Sequence, residues 1–301
     1  MQEFYSNGKL LVSGEYVVLD GAKALALPTK FGQSLTITPI DEPKLIWRSY
    51  NSDKSLWFEG HFYFENDNIK PLQNNDTSNR IVQIINIAKT LNPDFLSTNQ
   101  GYNISTELTF PKNWGLGTSS TLINNIADWA RVDAYDLLKN TFGGSGYDIA
   151  CAQNNQPLLF HRTEDYIEVN TLIFNPDFKE HIYFVYLNEK QNSREGIAIY
   201  NNNKSNIQPV ISEINTITSL LINCTSLSEF EDLLTQHESI ISKVIKQQPV
   251  KDRLFPDFNG SVKSLGAWGG DFILVTSEND PTVYFKDKGY YTILPYREMI
   301  L

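Results

Sequence analysis

The 301-residue sequence is poor in cysteine, with Cys151 and Cys224 its two thiols. Two are too few for a disulfide framework or a cysteine zinc site; they suit a reducing compartment, so a cytoplasmic protein is expected. The four histidines, His61, His161, His181 and His237, lack the spacing of metal ligands or of a catalytic triad, and His237 reads as a structural residue on a helix. No apolar run is long enough to span a bilayer, and no basic start with an apolar stretch behind it marks a secretory signal. Positive charge is also in deficit: 25 Lys and Arg face 35 Asp and Glu, for a net charge of −10. Such a surface repels nucleic acid and acidic membranes, so neither is an expected partner, and a polyanionic ligand would need a local field. Repeats and low-complexity tracts are missing too. The apolar share of 41% and charged share of 20% are those of a globular chain, long enough for one large or two medium domains.

The most informative stretch runs Pro111, Lys112, Asn113, Trp114, Gly115, Leu116, Gly117, Thr118, Ser119, Ser120. Before it, Tyr102 to Leu108 alternates apolar and polar residues as a half-buried strand does. After it, Leu122, Ile126 and Trp129 recur at helical spacing. A strand, a glycine-bearing turn and a helix start form a site for a bulky anion: glycines let the backbone approach, and the first N–H groups and the helix dipole favour negative charge. A plain hydroxyl cap on the helix is the competing reading. The stretch is not a Walker A loop, since no Gly-Lys-Ser/Thr ends it, and it lacks the third glycine of a dinucleotide fingerprint.

Along the rest of the chain, Gly8 to Gly21 reads as two short strands interrupted by Ser13-Gly14-Glu15 and closed by an Asp-Gly turn. Strands are expected at 24–27, 33–38, 45–47, 56–58 and 62–64, with an exposed loop over 66–76. Ile81, Ile84, Ile85, Ala88 and Leu91 mark an amphipathic helix capped by Thr77 or Ser78 and ended by Asn92-Pro93. A short helix over 133–139 leads to Gly143-Gly144-Ser145-Gly146-Tyr147-Asp148, and strands follow near 157–161 and 167–172. Asn175-Pro176-Asp177 suggests a boundary, giving domains 1–174 and 175–301. The second part reads as a strand over 182–187, a helix opened by Pro209, a helix with a Ser228/Glu231 capping box, and strands at 272–275, 283–285 and 290–294. That is an α+β arrangement.

Three glycine-rich turns in order, Gly8-Lys9 through Gly14-Glu15-Tyr16 to Gly21, Pro111 to Ser120, and Lys263 through Gly266-Ala267-Trp268-Gly269-Gly270-Asp271, resemble the motifs of the GHMP kinase superfamily. Within it, Gly14-Glu15-Tyr16 and Gly144-Ser145-Gly146-Tyr147-Asp148 look most like phosphomevalonate kinase, then mevalonate kinase. The resemblance implies an α+β two-domain fold, with an N-terminal domain like domain 2 of ribosomal protein S5 and a ferredoxin-like C-terminal domain. It implies ATP and Mg²⁺ as cofactors, with transfer of the γ-phosphoryl group to mevalonate or phosphomevalonate in isoprenoid precursor synthesis. Carried over by motif, Pro111, Gly115, Leu116, Gly117, Thr118, Ser119 and Ser120 would hold the nucleotide, and Ser119 and Ser120 the metal. Asp148 would be the general base, with Lys9 as its electrostatic partner. Glu15, Tyr16, Gly146, Lys190, Ser193, Gly266, Ala267, Trp268 and Gly269 would meet the substrate. Read without the family, Asp148 is a helix cap, Lys9 a strand-edge lysine, and Lys190 and Ser193 parts of a surface loop. The third turn departs from the family: Leu265 replaces a serine and Trp268 a glycine. A relative that binds nucleotide or metabolite without turnover, or serves as a partner subunit, is the alternative function. The expected partner is a small-molecule substrate, with a homodimer left open.

Overall fold

The structure, a computed structural model, describes residues 1–301 except Asp67 and Asn99. In chain order the strands are β1 (Gln2–Leu11), β2 (Ala24–Ile40), β3 (Lys44–Tyr50), β4 (Leu56–Glu65), β5 (Asn68–Pro71), β6 (Gly101–Leu108), β7 (Leu158–Arg162), β8 (Ile167–Thr171), β9 (Ile182–Tyr186), β10 (Val262–Ser264), β11 (Phe272–Thr276) and β12 (Ile293–Pro295). The helices are α1 (Asp76–Leu91), α2 (Thr118–Ala130), α3 (Ala134–Lys139), α4 (Tyr147–Gln153), α5 (Ser193–Asn203), α6 (Gln208–Asn223), α7 (Leu227–Ile245), α8 (Val250–Leu254), α9 (Thr282–Asp287) and α10 (Tyr296–Met299). Two compact units are assembled from separated segments: Met1–Gly8, Phe31–Lys112 and Leu116–Gln153 make the first, and Lys9–Lys30, Asn113–Gly115 and Asn154–Leu301 the second.

In the first unit, β6 pairs antiparallel with Gln33–Ile40 of β2 and parallel with β3, which continues antiparallel through β4 to β5. The period-2 pattern of β6 and the helical stripes of α1 and α2 meet in one core containing Ile37, Trp47, Ile84, Ile104, Ile123 and Ile126. Helix α1 starts before the expected cap: Asn75 is the N-cap, its side chain accepting the Ser78 N–H. Within the expected loop over 66–76, of which Asp67 lies outside the described residues, β5 forms on a single apolar residue. Its Ile69 is fully buried, and the Asn86 side chain meets both the Ile69 N–H (2.9 Å) and its carbonyl (3.2 Å). One apolar residue gives no period, so sequence pattern could not reveal this strand.

In the second unit, β10-β11-β9-β12 form an antiparallel sheet with Val185, Phe255, Ile273 and Phe285 in its core. Helices α6 and α7 bury residues at helical spacing, Ile214, Ile217 and Leu221, then Leu233, Leu234 and Ile241. Four details differ from the sequence reading. Val17–Asp20 is a 3-10 turn in place of a second strand, because Gly14 (φ 88°) and Tyr16 (φ 62°) turn the backbone before it. β2 is one strand where two were expected, with Thr29 bridged to Ile300 beside Pro28. Val283–Phe285 lies in α9, where Asp280 accepts the Thr282 N–H at 2.9 Å and Phe285 is the buried residue. Short apolar runs such as these carry no period that separates strand from helix. The α7 cap is Ser226, accepting the Glu229 N–H at 3.2 Å, in place of Ser228. Among the described residues no helix is long and apolar enough to cross a membrane.

Replacing Ser226 with Ala should lower stability by about 0.5–2 kcal/mol, while Ser228→Ala should stay within about 0.5 kcal/mol, as read from urea unfolding midpoints. Equal effects would return the cap to Ser228.

Candidate functional site

In the first unit the anion-binding candidate is the start of α2. Gly117 is its N-cap in the left-handed region (φ 93°), and no side chain among the described residues caps the helix. Its early N–H groups are therefore presented without an internal acceptor, as an anion site requires. Ser119 is exposed and Thr118 and Ser120 are half-buried, while Leu116 anchors the turn in the interior and Pro111 is exposed. A buried polar network fixes this helix. Ser6 Oγ donates to Asn125 Oδ1 (2.8 Å), Asn125 Nδ2 to the Gln33 carbonyl (2.9 Å), and Thr121 Oγ1 to Gln33 Oε1 (2.7 Å). Asn124 donates to Ser6 Oγ (3.0 Å) and accepts from Gln153 Nε2 (3.0 Å), which ties α2 to α4. Helix α4 carries Asp148 as its second residue, half-buried, behind Gly146 (φ 96°). Nothing stands within 4 Å of where a Cβ on Gly143 or Gly144 would be, so the approach to α4 is open on those residues.

The second unit holds the other half of the central turn. Tyr186 Oη donates to the Asn113 carbonyl (2.9 Å), and the Trp114 ring meets the Phe272 ring edge-on at 5.3 Å. Gly115 (φ 70°) rests on the Asp271 carboxylate: a Cβ there would stand 2.5 Å from each carboxylate oxygen. Gly115 is thus required by a tertiary contact as well as by its backbone angle. Lys9 Nζ lies 4.0 Å from the Cβ position of Gly266, so the first and third turns share a lysine.

Beneath these turns sits a buried ion cluster. Lys263 Nζ donates to Glu15 Oε1 and to the Ser264 carbonyl (2.9 Å), and lies 3.6 Å from Glu238 Oε1. His237 Nε2 accepts the Gly14 N–H at 3.0 Å, which puts the imidazole proton on Nδ1, and burial holds its pKa well below the ordinary value. Nε2 is also 3.2 Å from Glu15 Oε2, an approach of two acceptors rather than an ion pair. Burial pushes the Glu15 carboxyl up to about 7 and that of Glu238 up to about 8, against the pull of Lys263. One ammonium, one carboxylate and one carboxylic acid make a neutral cluster near pH 7. Glu15, expected to meet substrate, is 1% exposed and turned to this cluster. Sequence reasoning passed over Glu238 and took Lys263 only as the start of the third turn, because a charge at a core position has no pattern until its partner is placed.

Trp268, also expected at the substrate, is 5% exposed and packs with Val17, Tyr200, Ile214, Ile241 and Ile245. Its backbone N–H donates to Tyr16 Oη at 3.1 Å, and its indole N–H finds no partner among the described residues. Tyr16 stacks on Tyr200 at 5.8 Å, and Tyr200 Oη donates to Asp20, which Lys204 also holds at 2.8 Å. These contacts fix α5, a helix missed in the sequence because its one buried residue is Tyr200. Lys190 and Ser193 are exposed, the latter opening α5 behind the Asn192 cap. Ala267 is buried, while Gly266 and Gly269 take positive φ and are half-buried.

Solved structures match over nearly the whole chain. The Streptococcus pneumoniae phosphomevalonate kinase in complex with phosphomevalonate and AMPPNP superposes with a TM-score of 0.68 at 16% identity, covering 96% of this chain and 95% of that one. The fold is that of the GHMP kinases. The Methanococcus jannaschii mevalonate kinase matches at TM-score 0.67 and 16% identity over 97% and 96%. The Lactococcus lactis galactokinase complexed with galactose matches at 0.70 and 12% over 97% and 92%. No protein-family model matches the sequence, and no curated protein matches it by sequence. The GHMP fold is α+β, as the order of elements suggested.

The cluster's titration has a defined direction. The glutamates have native pKa values above the ordinary 4.5, so folding takes up protons and their stabilisation, complete below pH 4.5, is lost as pH rises through about 7 to 8. His237, held neutral, opposes this only below pH 6.5. Between pH 6.5 and 8 stability should therefore fall, by about 1 to 2 kcal/mol per pH unit, and Glu238→Gln should flatten that slope in denaturant titrations. A slope unchanged in the variant would remove Glu238 as its source.

Proposed function

We propose that the chain is an ATP-dependent phosphotransferase acting on a small molecule, with mevalonate or phosphomevalonate as the acceptor. The observation that carries this reading is the uncapped start of α2 at Gly117, on a fold whose solved examples include kinases for mevalonate, phosphomevalonate and galactose. The residues present fit a nucleotide polyphosphate: free helix N–H groups, a left-handed glycine and three hydroxyls offer donors for phosphate oxygens. When bound, ATP supplies the phosphoryl group and Mg²⁺ offsets the charge on its oxygens. Ser119 and Ser120 would take the metal through their hydroxyls; among the described residues no three His, Cys, Asp or Glu side chains are grouped to hold one.

In this reading Gly117, Thr118, Ser119 and Ser120 orient the polyphosphate and Asp148 accepts the proton of the attacking oxygen at its carboxylate. Lys9 steadies the negative charge on that oxygen. Little further chemistry is asked of the protein, since phosphoryl transfer depends mostly on position and electrostatics. Tyr16, Gly146, Lys190, Ser193, Gly266 and Gly269 are proposed substrate neighbours. Residues 1–174 are proposed as the nucleotide domain and 175–301 as the ferredoxin-like one. A binding-only relative or a partner subunit is the second reading. It is favoured by the commitment of the Trp268 N–H to Tyr16, which removes a donor from the third turn.

An ATP-consumption screen against mevalonate, phosphomevalonate, galactose and homoserine tests the proposal; binding without turnover on any acceptor selects the second reading. With the true acceptor, Asp148→Asn should cut kcat by roughly 10²- to 10⁴-fold with ATP affinity retained, whereas Gly117→Val should abolish or strongly weaken nucleotide binding. Near-normal turnover of Asp148→Asn would return Asp148 to a helix-capping role.

A further inference from the structure

We infer that Asp271, at the end of the third glycine-rich turn, is a positioning residue that seats the Gly115 end of the central turn and orients the Lys9 ammonium. The backbone of Asp271 is pinned on both sides. Its N–H donates to the Glu189 carbonyl (2.7 Å), and its own carbonyl accepts the Leu187 N–H (2.8 Å). The residue sits at φ 52°, a left-handed angle that is uncommon outside glycine and that Asp takes more readily than most. Glycines precede it at 269 and 270, yet the left-handed position itself carries a carboxylate. That side chain is 8% exposed, accepts the Gln191 N–H at Oδ1 (3.1 Å), and presses on Gly115 so closely that a Cβ there has no room.

A buried negative charge pressed against the Gly115 backbone is costly unless a cation answers it. Lys9 is the foremost cation acting on this carboxylate, and Lys190 the second; burial raises the Asp271 pKa and the two lysines oppose the rise. The other titratable groups felt here are the hydroxyls of Tyr16 and Tyr186. Lys9 is also within reach of the third turn, 4.0 Å from the Gly266 Cβ position. One carboxylate thus joins the central turn, the loop before α5 and the lysine of the first turn. The assignment of a role in turnover rests on the phosphotransferase reading, while the coupling of Asp271 to Lys9 does not.

Asp271→Asn keeps the shape, the Gln191 acceptor and the seat for Gly115, and removes only the charge. With the lysines reductively ¹³C-methylated and Lys9 assigned through its loss in Lys9→Met, NMR titration should place the Lys9 pKa about one unit lower in Asp271→Asn than in the parent. On the phosphotransferase reading kcat should fall about tenfold with ATP affinity retained; a purely structural residue would weaken binding instead. Should Asp271→Asn not fold, the reciprocal measurement serves: Lys9→Met should raise the Asp271 carboxyl pKa, read from its ¹³C shift. A Lys9 titration unmoved in folded Asp271→Asn, or an Asp271 titration unmoved in Lys9→Met, overturns the inference. Absence of turnover on every acceptor would end the kinase reading and leave the titration result standing.

Discussion

The second unit depends on the ion cluster of Lys263, Glu15, Glu238 and His237. Burying these groups costs several kcal/mol per ion, and attraction within the cluster offsets that only when every charge is answered. Glu15 lies in the first turn, Lys263 on β10 and His237 with Glu238 on α7, so strand, helix and turn have one mutual placement that satisfies them. Losing Lys263 or the ionised carboxylate that answers it leaves a buried charge unpaired, typically a loss of about 3–5 kcal/mol. Proton uptake by a glutamate keeps the set neutral, which is why burial can be complete.

From that anchor the first turn is placed with little freedom. Gly14 gives its N–H to His237, and a Cβ on it would meet Ala24 Cβ at 2.8 Å. Two residues on, Tyr16 receives the Trp268 N–H and stacks on Tyr200, and a Cβ on Gly196 would be 2.8 Å from its hydroxyl. Close packing of this kind transmits position, because well-packed interiors do not yield to a displacement without cost. The first and third turns are therefore one construction, with Lys9 and Asp271 at its edge. In the first unit the Ser6, Gln33, Asn124 and Asn125 network has the same role for α2 and α4, using neutral hydrogen bonds in place of charges.

Long periodic elements were legible in the sequence. The stripe Ile81, Ile84, Ile85 and Ala88 and the alternation of β6 stand as read, with Leu91 left exposed at the end of its helix, because burial of one face imposes its period on the sequence. The turn at Gly117 was legible for a different reason: a left-handed helix cap strongly favours glycine, and that demand is local. Tertiary structure alone decided the rest. Val17–Asp20 and α9 are short apolar runs that suit strand or helix equally until neighbours bury them. Gly115 owes its place in part to Asp271, distant in sequence, and Trp268 fills a core that the first turn, α5, α6 and α7 create together. Glu15 reads as a site residue beside its glycine, and becomes a buried partner of Lys263 because a charge follows its counter-charge, which no local pattern records.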